Sequence, residues 1–419
     1  MKHEKMKMGM VTHCILGFSL LILVAAVFYL TGDFLGFLDL QRQLKNACND
    51  AGNEAPASYE DKPSSSLSSS TRCNLFEGRW VFDNVSLPLY EERNCSFMLP
   101  EFACERYGRK DFKYRNWRWQ PRRCDLPRFN GTAFFEKIRG KKLVFVGDSL
   151  NRNQWTSMLC LVESALGPSS PRTVVRDENM HTFQSNEYNA TIALYWSPFL
   201  VESNCDDPII HRVKDRVVRL MGIDKHARHW NDADILIFNS YLWWTDPMTV
   251  TWGTSLGSSD ARNKTVDKMS TRLYEMVLDV WSDWLEININ RTKTKMFFMS
   301  PSPFHLYGDK WEEKRNCYNE TEPILDGRIG LSIVGARMRA AELALQKLGT
   351  RGINIEYLNT THLSEYRKDA HPSIYKNFFH TVSEEQLSDP TSYSDCTHWC
   401  LPGVPDIWNQ ILYSYIMNS

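Results

Sequence analysis

Val144-Phe-Val-Gly-Asp-Ser-Leu-Asn-Arg-Asn-Gln154 decides the reading of this chain. With Lys142 and Leu143 before it, the segment opens as a short continuous apolar run. It ends in Gly147-Asp148-Ser149, and a helical pattern begins at once. A continuous apolar run of this length is the mark of a strand covered on both faces, as in a parallel sheet flanked by helices. Ser149 therefore lies at a strand's carboxyl end and at the first turn of a helix. There its hydroxyl faces a cleft, and the helix's free N–H groups can meet a developing oxyanion. Taken alone, Gly-Asp-Ser equally fits a plain N-terminal helix cap.

Working outward, three further runs have the same character: Ala233 to Phe238, Lys295 to Met299 and Ile353 to Tyr357. Helical apolar spacing covers Thr265 to Leu285 and Leu331 to Leu348, the second closed by Gly349. Strands alternating with helices predict an α/β fold, a three-layer sandwich around a parallel sheet. Ligands bind such sheets beyond the carboxyl ends of the strands.

A serine hydroxyl needs a neighbouring base, and imidazole suits that task near neutral pH. Asp395-Cys-Thr-His398 offers both a base and a carboxylate to orient it, on one short loop flanked by Cys396 and Cys400. On its own His398 also reads as an ordinary loop residue. The Gly-Asp-Ser turn and the flanking cysteines turn the balance toward a Ser149–His398–Asp395 triad. His371, in Asp369-Ala-His-Pro-Ser373, is a rival base. His305 follows a strand end, where core or surface placement suits it as well as the cleft. His211-Arg-Val-Lys-Asp215 matches an H-x-x-x-D acyltransferase pattern by chance, inside a charged run.

The body of the chain also carries Gly78-Arg-Trp-Val81, Pro88-Leu-Tyr90, Tyr114-Arg-Asn-Trp-Arg-Trp-Gln-Pro121 and Cys124-Asp-Leu-Pro-Arg-Phe129. Together with the Gly-Asp-Ser block and Asp395-Cys-Thr-His-Trp-Cys-Leu-Pro-Gly403, these resemble the plant trichome birefringence-like family of polysaccharide O-acetyltransferases, within the SGNH/GDSL-like superfamily. The resemblance spans Cys73 to the C-terminus and leans toward the xylan-acetylating branch. It implies an SGNH/GDSL-like sandwich plus a smaller lobe. The implied activity is transfer of acetyl to O-2 or O-3 of xylosyl units in the xylan backbone. Ser149, His398 and Asp395 match the family's triad. Asn239, in Phe238-Asn-Ser-Tyr-Leu-Trp-Trp244, matches the superfamily's oxyanion asparagine, although a turn asparagine would look the same. The superfamily's second-block glycine has no counterpart here, so the Ser149 N–H is the first expected oxyanion donor. Arg152 fits Gly-Asp-Ser-x-x-Arg and suits either the cleft or a structural ion pair. Of Trp243 and Trp244, one is expected to stack on a sugar and the other to pack. The resemblance further implies four disulfides: Cys73–Cys124, Cys95–Cys160, Cys104–Cys400 and Cys317–Cys396. Cys48 and Cys205 are left over.

The N-terminus bears on compartment. Val11 to Leu30 is nearly continuous apolar sequence preceded by Lys2, Lys5 and Lys7. Its length suits one bilayer-spanning helix, and the lysines keep the N-terminus cytosolic. The expected organisation is a cytosolic tail (1–10), a transmembrane anchor (11–30), a polar lumenal stem (31–72) and a catalytic domain (73–419). With the family resemblance, this predicts a single-pass type II Golgi membrane protein. Eleven cysteines without a CxxC pair suit an oxidising lumen and offer no metal site. Sequons at Asn84, Asn94, Asn130, Asn189, Asn263, Asn290, Asn319 and Asn359 add glycosylation to that picture.

The net charge of -1 argues against a nucleic-acid partner. Residues 106–123 carry eight Arg or Lys against one Asp. That stretch reads as a solvated or structural face, with an acidic sugar branch as a further possibility. No bound cofactor is implied. The expected partners are a xylan acceptor and an acetyl donor, either acetyl-CoA or another acetyl carrier. An esterase would use the same triad with water as acceptor. A non-enzymatic polysaccharide binder would have no use for the triad.

Overall fold

The computed structural model describes residues 73–418, apart from 168–169, 246, 254, 257–262, 267–270, 307–315, 325–333 and 379–380. The cytosolic tail, the anchor from Val11 to Leu30, the stem and Cys48 lie outside the described residues. Among those described, no helix is long and apolar enough to cross a membrane.

Among the described residues, twelve strands form three sheets. A hairpin-like pair joins β1 (Gly78–Phe82) to β2 (Trp117–Pro121). The central sheet has seven strands: β3 (Lys142–Gly147), β4 (Arg172–Asp177), β5 (Met180–Ser185), β6 (Ala190–Trp196), β8 (Ile235–Asn239), β11 (Lys295–Met299) and β12 (Ile355–Leu358). The third sheet holds β7 (Arg216–Arg219), β9 (Met248–Thr251) and β10 (Asn263–Val266). The central order is β12-β11-β8-β3-β6-β5-β4. Its first five strands are parallel, while β5 and β4 extend one edge as an antiparallel meander.

Helices cover both faces. Neighbouring residues on a strand point to opposite faces of the sheet. On β11, Phe298 meets Trp281 of α3 (Thr271–Asn288), while Phe297 meets Tyr415 of α5 (Val404–Met417). The helix after β3, α2 (Ser149–Glu163), packs on α5 and on α1 (Gly131–Lys137). On the other face, α3 packs on α4 (Val334–Thr350). The layers are therefore helix, sheet and helix. This coverage explains why β3 and β8 are buried almost throughout and carry apolar runs. Residues 72–419 form one compact unit, in which two small sheets accompany the main one.

The helical pattern read from Thr265 is corrected at its start. Thr265 and Val266 pair with Thr249 and Met248 as part of β10, and the helix begins at Thr271. β6 (Ala-Thr-Ile-Ala-Leu-Tyr-Trp) joins the core, although the sequence reading passed over it.

Gly147 ends β3 opposite Asn239, the last residue of β8. A Cβ there would lie 2.2 Å from the Asn239 carbonyl oxygen, so any side chain would part the two strands beside Ser149.

Under the site, α2 and α5 share a buried polar knot. The Asp406 carboxylate accepts from Tyr90 Oη (2.9 Å), Ser157 Oγ (2.5 Å) and the Gly403 N–H (2.7 Å). Burial outweighs these bonds and pushes its carboxyl up to about 6. Asp406→Ala would strand three buried donors and is expected to cost roughly 2–4 kcal/mol in denaturant melts. The sign with pH follows from the raised pKa. Between about pH 4 and 6 the folded chain holds more protons here than the unfolded chain, so the Asp406 contribution falls as pH rises. The gap between parent and variant should be wider at low than at neutral pH.

Candidate active site

The site is built where β3 ends. Asp148 caps α2, its Oδ1 accepting the Leu150 N–H at 2.9 Å, and this sets Ser149 as the first helical residue. Burial pushes the Asp148 carboxyl up to about 7. The Gly-Asp-Ser aspartate thus acts as a buried cap and does not reach the reacting groups named below. Ser149 Oγ lies 2.7 Å from His398 Nε2, and His398 Nδ1 lies 2.8 Å from Asp395 Oδ2. Asp395 Oδ1 accepts the backbone N–H of both Thr397 and His398, each at 3.0 Å. These bonds fix the carboxylate, and the carboxylate in turn fixes the imidazole. The three side chains expected to meet do so.

The loop that carries His398 is tied from every side. Cys396 is bonded to Cys317 and Cys400 to Cys104. Asn153, one turn along α2 from Ser149, brackets Trp399: its Oδ1 accepts the Trp399 N–H at 2.8 Å and its Nδ2 donates to the Trp399 carbonyl at 3.2 Å. The Trp399 indole donates to Ser302 Oγ at 3.0 Å. The helix bearing the hydroxyl therefore also grips the backbone bearing the imidazole. Cys73–Cys124 and Cys95–Cys160 complete the four implied pairings. Cys205 is a buried free thiol, pushed up by burial to about 11 and hence inert.

Two groups near the site were not read correctly from sequence. Lys376 pairs with Asp395 Oδ2, on the oxygen that also faces His398. Burial alone would raise the Asp395 carboxyl, but the His398 and Lys376 charges and hydrogen bonds outweigh it and hold the group well below the usual range. Asp395 is therefore held as the ionised partner of the imidazole. His371 is no rival base. It is buried and stacked on Trp399, its Nδ1 donates to the His398 carbonyl at 2.6 Å, and its Nε2 meets His305 Nδ1 at 2.7 Å. Burial, with the His305 charge next, keeps its pKa well below that of a free imidazole. Its role is to hold the backbone of His398. Asn153 could have been found from its spacing four residues after Ser149. Nothing in the sequence around Lys376 marked it.

Ser149, His398 and Asp395 open into a cleft of about 1150 Å³ at the carboxyl ends of the parallel strands. Arg152 lines it and also pairs with Glu101 at 3.2 Å. Trp243 lines the cleft but is only 8 % exposed, with the Arg216 guanidinium 4.6 Å above its ring. Trp244 is buried against Phe199 and Tyr274 and does not reach the cleft. Of the pair, Trp244 is therefore the one that packs, and Trp243 is the one at the cleft, capped there by an arginine. The half-buried rings of Phe378 and Tyr393, 5.3 Å apart, also line the cleft. Asn239 sits beside Gly147 in register at the end of β8, 2 % exposed and outside the cleft lining, with no partner for its Oδ1. His211 lines the cleft, and burial with the Arg152 and Arg212 charges pushes it down to about 4.

The basic stretch at residues 106–123 is structural and stands outside the cleft lining. Arg109 is buried, donating to the carbonyls of Asp369 (2.6 Å) and His371 (2.9 Å), and Arg115 pairs with Glu91 and Glu105. Of the sequon asparagines, Asn84, Asn94, Asn130, Asn189, Asn290 and Asn319 are exposed. Asn359 is half-buried, and its sequon threonine Thr361 is fully buried, bonded to Ser300 Oγ at 2.8 Å. The side chain of Asn263 lies outside the described residues. Among the described residues, no group of His, Cys, Asp or Glu is placed to hold a metal ion.

Residues 126–415 match the GDSL/SGNH-like acyl-esterase family found in Pmr5 and Cas1p, and residues 71–125 match the PMR5 N-terminal domain. The chain belongs to this acyl-esterase family. The family's two matched segments meet between Asp125 and Leu126, just past the Cys73–Cys124 bridge. Among its relatives is protein trichome birefringence-like 34 of Arabidopsis thaliana, 51% identical over 84% of this chain and 86% of that one. Xylan O-acetyltransferase 14 of Oryza sativa subsp. japonica is 47% identical over 87% of this chain and 81% of its own. Xylan O-acetyltransferase 13 of the same organism is 49% identical over 83% and 70%. The resemblance read from the sequence motifs is thus met by the family and by these relatives.

Proposed function

We propose that this chain is an acyltransferase that moves acetyl from a donor to O-2 or O-3 of xylosyl units in the xylan backbone. The observation that carries the reading is the 2.7 Å contact between Ser149 Oγ and His398 Nε2, with Asp395 behind the ring, inside an open cleft. Relatives named as xylan O-acetyltransferases support the acetyl group and the acceptor.

In the first half-reaction Ser149 Oγ attacks the donor's acetyl carbon while His398 Nε2 takes its proton. Asp395 keeps the remaining ring proton on Nδ1 and stabilises the imidazolium. The tetrahedral oxyanion meets the Ser149 N–H at the helix start. The intermediate collapses, the donor's leaving group departs with the proton from His398, and acetyl-Ser149 remains. A xylosyl hydroxyl then gives its proton to His398 and attacks the ester. Ser149 Oγ leaves and recovers that proton. Acetyl-CoA or a comparable acetyl carrier supplies the acyl group. Four disulfides suit an oxidising compartment. With Val11 to Leu30 as anchor, we place residues 73–419 in the Golgi lumen, held off the membrane by the stem.

The test is product analysis by mass spectrometry, with purified chain, acetyl donor and xylo-oligosaccharides. The expected product is sugar heavier by one acetyl group, formed faster than free acetate appears. Free acetate with unmodified sugar would mean that water is the acceptor and that the chain is an esterase.

A further inference from the structure

The cleft has more positive charge than its chemistry uses. Two of its cations are already matched by acids: Arg152 by Glu101 and Lys376 by Asp395. Three more come from one short stretch, Arg212, Lys214 and Arg216, all of which line the cleft. Arg212 and Lys214 lie on the irregular chain that leads into β7, and Arg216 is the first residue of that strand. Asp215 lies between them in sequence and is absent from the lining. Arg216 is committed to Trp243, over its ring and donating to its carbonyl at 3.2 Å. Arg212 and Lys214 are exposed and, among the described residues, have no ion-pair partner.

Surface lysines and arginines are commonly just solvated. Here the same cavity holds Ser149, and a concave, walled site concentrates a field of one sign. The field reaches inward, since the low pKa of His211 owes part of its shift to Arg152 and Arg212. The stretch at residues 106–123, the more obvious basic run in the sequence, contributes nothing to the cleft.

We propose that Arg212 and Lys214, backed by Arg216, form an anion subsite that holds a negatively charged part of a cosubstrate while its neutral part reaches Ser149. This rests on Ser149 being the acyl acceptor. Two cosubstrates carry such a group: a thioester donor with phosphates, and an acceptor oligosaccharide with a uronic acid branch. The shared chemistry is an oxyanion fixed by charge-assisted hydrogen bonds from guanidinium and ammonium groups.

The experiment uses the full chain and the double variant Arg212→Gln/Lys214→Gln. Binding of CoA, of neutral xylotetraose and of a glucuronate-branched xylotetraose is measured by calorimetry, at low salt and with roughly 0.5 M NaCl, enough to screen exposed charges. In the variant, one charged ligand should bind about tenfold more weakly or worse, with neutral xylotetraose unchanged. High salt should weaken the parent toward the variant. Loss confined to CoA assigns the subsite to the donor, and loss confined to the branched sugar assigns it to the acceptor. Equal affinities for all three ligands in parent and variant would overturn the proposal. Acetylation of Ser149 by p-nitrophenyl acetate, a small uncharged donor, is followed in both chains and should not differ. If the parent is not acetylated, the role of Ser149 fails while the binding result still decides the subsite.

Discussion

Ser149→Ala is expected to lower kcat for acetyl transfer by about 10⁴-fold or more while leaving the fold intact. Its hydroxyl makes one hydrogen bond, to His398 Nε2, and sits at the cleft rather than in the packed core. Removing it therefore opens no cavity. It does remove the only atom placed both to attack and to give its proton to the ring. Two measurements belong together. Incubation with an acetyl donor, followed by digestion and mass spectrometry, should find an acetyl adduct on the peptide containing residue 149 in the parent and none in the variant. Thermal melts should nearly coincide. A variant that kept a tenth of the activity would rule out an acyl-serine route, whatever the geometry.

Asp395→Asn should cost about 10⁴-fold in kcat, and the geometry explains why the near-isosteric change is so severe. The Oδ1 position accepts two backbone N–H groups, from Thr397 and His398. An asparagine must keep its oxygen there, so its NH₂ is forced into the Oδ2 position. That position faces His398 Nδ1 and the Lys376 ammonium. The amide then donates to Nδ1, which places the ring's proton on Nε2, pointing at Ser149. The ring can no longer accept from the hydroxyl, and Lys376 faces a donor in place of an acceptor. Lys376→Met tests the division of roles. It leaves both Asp395–His398 contacts in place, and its loss should be far smaller than that of Asp395→Asn. Comparable losses would mean that Lys376, and not the hold of Asp395 on the ring, governs the rate.

How much of this was legible before the structure follows from burial. β3, β8 and β11 lie in the parallel part of the sheet, with helices on both faces, and are buried along most of their length, so their sequences read as apolar runs; β12, Ile-Glu-Tyr-Leu, has only its last residue buried and reads less plainly. β4 is an exposed edge strand, Arg-Thr-Val-Val-Arg-Asp, with almost no buried residue, and its sequence carries no such mark. The triad was legible because each member sits in a short distinctive motif. Lys376 and the true place of His371 were not. Both lie on irregular backbone after residue 367, where no period links spacing to direction, and their partners are 19 and 27 residues away in sequence. For Trp243 and Trp244 the sequence said that one would face the cleft and one would pack, but not which; the short 3₁₀ turn over Leu242–Thr245 decides it, leaving Trp243 at the cleft and Trp244 in the core.

The two bridges at Cys396 and Cys400 lie two residues to either side of the imidazole and bind it to segments 79 and 296 positions distant. Catalytic competence is thereby made a late step in the life of the molecule. A copy whose thiols stay reduced would possess every reacting group and still lack the staples that hold the ring against its partner. Synthesis under reducing conditions would then leave a silent protein, and mild reductant should extinguish turnover before it unfolds the sheet.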